Sequence, residues 1–141
     1  DKVCIIGAGS SGLAAAKNFS ERGIPFDCLE RERDIGGLWN EATNTGVVYD
    51  TTYLVSSSRY TGFEDYPFPE EYPTYPSHRE TLSYLRAYAM NFGILDRIEL
   101  NATVEHAERV KEGWRVKVAG EAAAICGARA GPSAGALRCD G

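Results

Sequence analysis

The period of apolar positions changes several times along the chain, and each change marks an element. Residues 2–6 are apolar and rich in β-branched side chains and run straight into Gly7, which predicts a short buried strand ending in a turn. Over residues 11–22, Leu13, Ala14, Ala16, Lys17 and Phe19 suit an amphipathic helix, with Gly23 placed as its C-terminal cap and Pro25 blocking continuation. Residues 26–30 repeat the buried-strand pattern. The order strand, helix, strand predicts a parallel, right-handed βαβ unit.

Between residues 34 and 75 the text turns to Gly, Asn, Thr, Pro and aromatic residues, and it holds Pro67, Pro69 and Pro73, with Pro76 just beyond. A long irregular excursion in a compact domain is usually functional or wraps a ligand. Tyr60, Phe63, Tyr66, Phe68, Tyr72 and Tyr75 could anchor it by burial, or simply pin it to the core. Ser77 and Glu80 match a capping box, and Leu82, Leu85, Ala89 and Phe92 then recur at helical spacing up to Gly93. Residues 98–110 and 114–118 predict two strands joined by a turn at Glu112 and Gly113. From Glu121 onward the text is rich in Ala and Gly, lacks aromatics and loses its period.

The 141 residues fit one domain, and 43% hydrophobic with 25% charged residues is a globular balance that excludes disorder or a fibrous repeat as the general state. Twenty acidic against fifteen basic residues give a net charge of −5, and no basic run is present to meet a phosphate backbone, so nucleic acid is not an expected partner. No apolar run approaches the ~20 residues of a membrane span, which leads to the expectation of a soluble, cytoplasmic protein. Cys4, Cys28, Cys126 and Cys139 form no CxxC pair, so free thiols and no metal site are expected. His78 is expected on the surface of a first helical turn and His106 on a strand face. The chain opens at Asp1 rather than Met, which suggests a fragment.

Gly7, Gly9 and Gly12 form G-x-G-x-x-G between the first strand and the first helix. Gly7 suits the tight turn, Gly9 lets a pyrophosphate approach the backbone, and the helix N-terminus offers amide groups and the favourable dipole end. Ala16 allows the helix to pack closely on the sheet. Glu30, at the end of the second strand, would accept hydrogen bonds from an adenosine ribose and repel a 2′-phosphate, so FAD or NAD suits the site better than NADP.

Asp34, Ile35, Gly36, Gly37, Leu38 and Trp39 follow. This segment resembles the D-I-G-G-L-W motif of the flavin-containing monooxygenases, and CLE at residues 28–30 resembles their second strand. The resemblance continues through GFEDYPFP at 62–69, EEYPTYPSHRE at 70–80 and Tyr84, Leu85 and Ala89, and covers about residues 2–120. It implies that Gly7, Ala8, Gly9, Ser10, Ser11 and Gly12 hold the FAD pyrophosphate, that Glu30 holds the ribose, and that Gly37, Leu38 and Trp39 lie on the flavin side. For Trp39 ordinary core packing is the other reading. The resemblance also implies reduction of FAD by NADPH, capture of O₂, and oxygen transfer to a soft nitrogen or sulfur atom or, as in the related Baeyer-Villiger enzymes, to a ketone. The implied partners are a small-molecule substrate and O₂.

Two departures stand out. Where the family places an Asn beside the flavin, this chain reads YLVSSSR, with Val55 and Ser56 near that register. The second G-x-G-x-x-G, which binds NADPH in the family, does not occur in these residues. The expected fold is therefore α/β: an incomplete FAD-type Rossmann unit over residues 1–120 with an inserted aromatic loop, a helix and a small antiparallel strand pair. Residues 121–141 are expected to be a disordered or frameshifted tail. A cofactor-binding fragment without turnover is the alternative to an oxygenase portion, and a small NAD-dependent dehydrogenase the third reading; the 141 residues alone are expected to be inactive.

Overall fold

The computed structural model describes residues 2–43, 48–111, 113–120 and, for the backbone alone, 124–126. Strand β1 (Val3–Ile6), helix α1 (Ser10–Glu21) and strand β2 (Phe26–Leu29) form the expected unit, with β1 and β2 parallel and Val3 opposite Phe26. Gly23 ends the helical segment at φ 63°, the left-handed cap its position predicted.

The excursion that follows is mostly irregular. It holds a 3₁₀ turn at Gly37–Trp39 and a single helical turn, α2 (Ser58–Thr61). Helix α3 (His78–Asn91) starts at the predicted capping box: Glu80 N–H donates to the Ser77 hydroxyl at 3.3 Å, and the Ser77 N–H donates to the Glu80 carboxylate at 2.7 Å.

The stretch 98–110 is not one strand but two. Strand β3 (Ile98–Glu99) pairs parallel with β2, so the parallel sheet runs in the order β1-β2-β3. Asn101 then takes φ 60°, a conformation Asn tolerates better than most residues, and donates its N–H to the Glu32 carbonyl at 3.0 Å. The chain turns there and begins β4 (Val104–Val110), which pairs antiparallel with β5 (Gly113–Val118).

A third antiparallel strand, β6 (Ala124–Cys126), pairs with β5, so the expected strand pair is a three-stranded sheet. Its backbone satisfies the ladder groups that β5 would otherwise leave open. The sheet thus continues past residue 120 into the segment expected to be disordered; residues 121–123 and 127–141 of that segment lie outside the described residues, as does Glu112 of the expected turn.

Side chains on the two faces of β2 feed two cores, as the alternation of a strand requires. Cys28 joins Ile5, Leu13, Ala16, Tyr84, Leu85 and Tyr88 in the larger core between the parallel sheet and the helices. Leu29 joins Ala102, Val116 and Val118 under the antiparallel sheet. The candidate site sits where the parallel strands end, between these two cores.

Candidate functional site

The loop after β1 is built tightly. Gly7 N–H donates to the Leu29 carbonyl at 2.7 Å, and Ala8, fully buried, donates its N–H to Glu30 Oε2 at 2.5 Å. A Cβ on Gly12 would lie 1.9 Å from the Gly7 carbonyl oxygen, so only glycine lets α1 approach the strand end this closely. Gly9 caps α1 with an extended backbone, and no side chain caps that end. The amide end of the helix is thus left for a ligand rather than a capping hydroxyl.

The second glycine motif folds back onto the first. Gly36 N–H donates to the Ala8 carbonyl at 3.0 Å, and Gly37, at φ 56°, faces Gly9 so closely that a Cβ on it would sit 3.1 Å from the Gly9 Cα. Glu30 closes the other side. The residue is 5% exposed, and its Oε1 accepts the Glu32 N–H at 3.0 Å. Each oxygen keeps a further lone pair for a ligand hydroxyl.

Gly7, Gly9, Glu30, Gly37 and Leu38 therefore line one groove of about 420 Å³, joined by Ala102 and Thr103 from the turn after β3 and by Val104 at the start of β4. Those last three carry no pattern that the sequence reading could use. Ser10, Ser11 and Trp39 line a different, largely apolar cavity of about 350 Å³ with Leu54, Phe63, Phe68 and Tyr84. Trp39 is half-buried and packs against the larger core, so core packing accounts for part of its role. Ala8 and Gly12 support the loop from beneath.

The aromatic loop forms a wall of that second cavity. Phe63, Tyr66, Phe68 and Tyr72 pack on the core, whereas Tyr60 and Tyr75 are exposed. Tyr84 organises the wall: its hydroxyl donates to the Tyr66 carbonyl at 2.6 Å and accepts the Phe63 N–H at 2.7 Å, and its ring stacks on Phe68 with centroids 3.8 Å apart. Burial pushes the Tyr84 phenol up to about 12. Lys17 on α1 ties down the same loop through Asp65. At the register of the family's Asn, Val55 is fully exposed and the Ser56 hydroxyl bonds to Thr61.

His78 is in the first turn of α3 as expected, but it is buried rather than on the surface. The segment after the glycine turn folds over it, with Glu41 Oε2 2.9 Å from Nε2 and the Thr52 carbonyl 3.4 Å from Nδ1. Glu41, Asp50 and His78 present ligand-type atoms within 4.8 Å of one another. Arg79 already bridges both carboxylates, to Glu41 at 3.2 Å and Asp50 at 2.8 Å. The hydrogen bonds from His78 and Arg79 hold the Glu41 carboxyl below its ordinary range. His106 lies exposed on β4 as expected.

A parallel βαβ sheet with a glycine loop, a buried acid at the end of β2 and a groove between them define a dinucleotide-binding α/β domain. The chain belongs to the flavin-binding monooxygenase-like family, whose model matches residues 1–118. Mouse flavin-containing monooxygenase 5 is 39% identical over 107 residues, which is 73% of this chain and 20% of that protein. Rice indole-3-pyruvate monooxygenase YUCCA1 is 40% identical over 118 residues, 82% of this chain and 27% of that one. The chain thus spans roughly a fifth to a quarter of the length of the curated relatives it matches. Among solved structures, S-allyl-L-cysteine S-oxygenase from Allium sativum aligns with a TM-score of 0.74 at 27% identity over 83% of this chain and 31% of its own. OTEMO in complex with FAD and NADP aligns with a TM-score of 0.77 at 25% identity, over 89% of this chain and 24% of its own. Among the described residues no helix is long and apolar enough to cross a membrane.

Proposed function

We propose that this chain is the FAD-binding portion of an NADPH-dependent flavin monooxygenase that transfers one oxygen atom from O₂ to a soft nitrogen or sulfur atom or to a ketone of a small molecule. The observation that carries this reading is the contact between Gly9 and Gly37, which joins two glycine turns into one wall of the groove that Glu30 completes. A mononucleotide site needs only the first turn. Two turns in backbone contact fit a longer dinucleotide, because absent side chains let main-chain amides reach a bulky ligand.

The residues present fit FAD. The uncapped end of α1 suits phosphate charge, Glu30 would offer its remaining lone pairs to ribose hydroxyls, and its own charge would disfavour a 2′-phosphate. Leu38 adds apolar surface within that same groove, and Trp39 lines the neighbouring apolar cavity. Bound FAD would supply electron transfer from NADPH and the activation of O₂. The chain's own contribution is binding, orientation and exclusion of water. A single G-x-G-x-x-G occurs in these residues, and in this reading FAD takes it.

Titration of the purified chain with FAD, NAD and NADP tests the reading. FAD is expected to bind tightest, and tighter binding of NADP than of FAD would overturn it.

A further inference from the structure

Two side chains to which the sequence assigns no role, Asp34 at the head of the D-I-G-G-L-W segment and Asn40 just after it, bracket the Gly36–Gly37 turn. Asn40 is 2% exposed although it is polar and sits in a loop. Its Nδ2 donates to Asp34 Oδ2 and to the Ile35 carbonyl, both at 3.1 Å, and its Oδ1 accepts the Ala42 N–H at 3.1 Å. Asp34 Oδ1 accepts the Ile35 N–H at 2.8 Å, and Asp34 Oδ2 also takes a hydrogen bond from Arg86 on α3. The turn so enclosed contains two successive glycines in the left-handed region, at φ 112° and 56°. Such a pair is the most freely rotating stretch a chain can have, so its geometry has to come from its neighbours.

We propose that Asp34 and Asn40, braced by Arg86, are positioning residues that hold Gly37 against Gly9 and thereby set the affinity for the pyrophosphate-bearing cofactor. The inference rests on the FAD-binding reading and names the residues that pre-organise its second turn. With the turn fixed during folding, little ordering remains to be done on binding, and the difference is realised as affinity. Asn40 acts from inside the loop by bridging its start to its end. Arg86 acts from outside, linking the loop to a helix that packs on the core.

Asn40→Asp keeps the shape but turns a donor into an acceptor facing Asp34 and the Ile35 carbonyl. Arg86→Gln removes the brace at a half-exposed position, where folding should survive. FAD and AMP affinities are measured for the parent chain and each variant, with amide exchange at Gly36. FAD is expected to weaken about tenfold in Asn40→Asp and about threefold in Arg86→Gln, in line with one lost charge-assisted or buried hydrogen bond. AMP, which uses the Glu30 side, should bind as in the parent, Arg86→Lys should recover most of the loss, and Gly36 exchange should quicken. Parent-like FAD affinity in Arg86→Gln, or equal weakening of FAD and AMP, would overturn the inference. A parent chain that binds no FAD would instead overturn the proposed function, and this inference with it.

Discussion

Gly9 and Gly37, twenty-eight residues apart by their numbers, meet backbone to backbone, so closely that a Cβ on Gly37 would sit 3.1 Å from the Gly9 Cα. One belongs to the turn that starts α1 and the other to the turn after β2. Their contact joins two short glycine motifs into one wall of the groove that Glu30 completes.

Gly9→Val should abolish measurable FAD binding while leaving the chain folded. The Gly9 backbone is extended and a Cβ there would meet Gly37 at an ordinary 3.7 Å, so the fold accepts a side chain. The extra methyl groups would then fill the groove. Parallel circular dichroism and FAD titration check this: a folded variant with parent affinity would mean the phosphate loop has been misplaced.

Glu30→Gln should weaken FAD by roughly 1.5–3 kcal/mol, the range for hydrogen bonds to a charged group. It should also lower stability, because one amide oxygen must replace two carboxylate oxygens that now accept from Ala8 and Glu32. Urea melts with and without FAD separate the two effects. An affinity loss no larger than the stability loss of the free protein would remove the ribose role and leave a structural one.

The βαβ unit, its parallel pairing and the capping box of α3 were legible because each follows from local rules: β-branched runs, glycine at turns, and Ser and Glu three residues apart. Five of the ten candidate site residues share the groove: Gly7 and Gly9 because G-x-G-x-x-G encodes a loop whose shape depends on the glycines themselves, Glu30 because it directly follows β2, and Gly37 and Leu38 because the second glycine turn folds back onto the first. What stayed hidden depends on distant partners. His78 reads as a surface residue until the segment holding Glu41 and Thr52 folds over it. Asn40 reads as a loop polar residue until Asp34 and Ile35 close around its amide. The break in the strand after Glu99 turns on the backbone of Asn101, and apolar alternation carries no trace of it.

Stability should fall as pH rises above about 9. Burial pushes the Cys28 thiol from its ordinary 9.0 up to about 12, with Glu30 and Cys4 adding to the shift, and burial raises Cys4 to about 11. Above 9 the unfolded chain releases thiol protons that the folded chain retains, so the unfolded state gains, and this contribution is exhausted once the folded thiols ionise as well. Melts from pH 8 to 11 should show the decline, with a shallower slope in Cys28→Ala. An unchanged slope would mean that Cys28 is not a source of it. Both thiols should also resist a thiolate-specific reagent at pH 8.

Tyr84→Phe should keep the stack on Phe68 but leave the Tyr66 carbonyl and the Phe63 N–H without their partner. A loss of about 1–3 kcal/mol follows from the two unmet backbone groups. Chemical denaturation measures it, and a variant as stable as the parent would show that the aromatic loop does not depend on this hydroxyl.

The most direct test of FAD binding across the paired glycine turns is an amide NMR titration of the chain with FAD. The expected result is a set of shifts that move together at Gly7, Gly9, Gly37, Leu38 and Thr103, with those around Arg79 unmoved. Shifts confined to Gly7 and Gly9, with Gly37 silent at saturation, would contradict a ligand surface made from both turns.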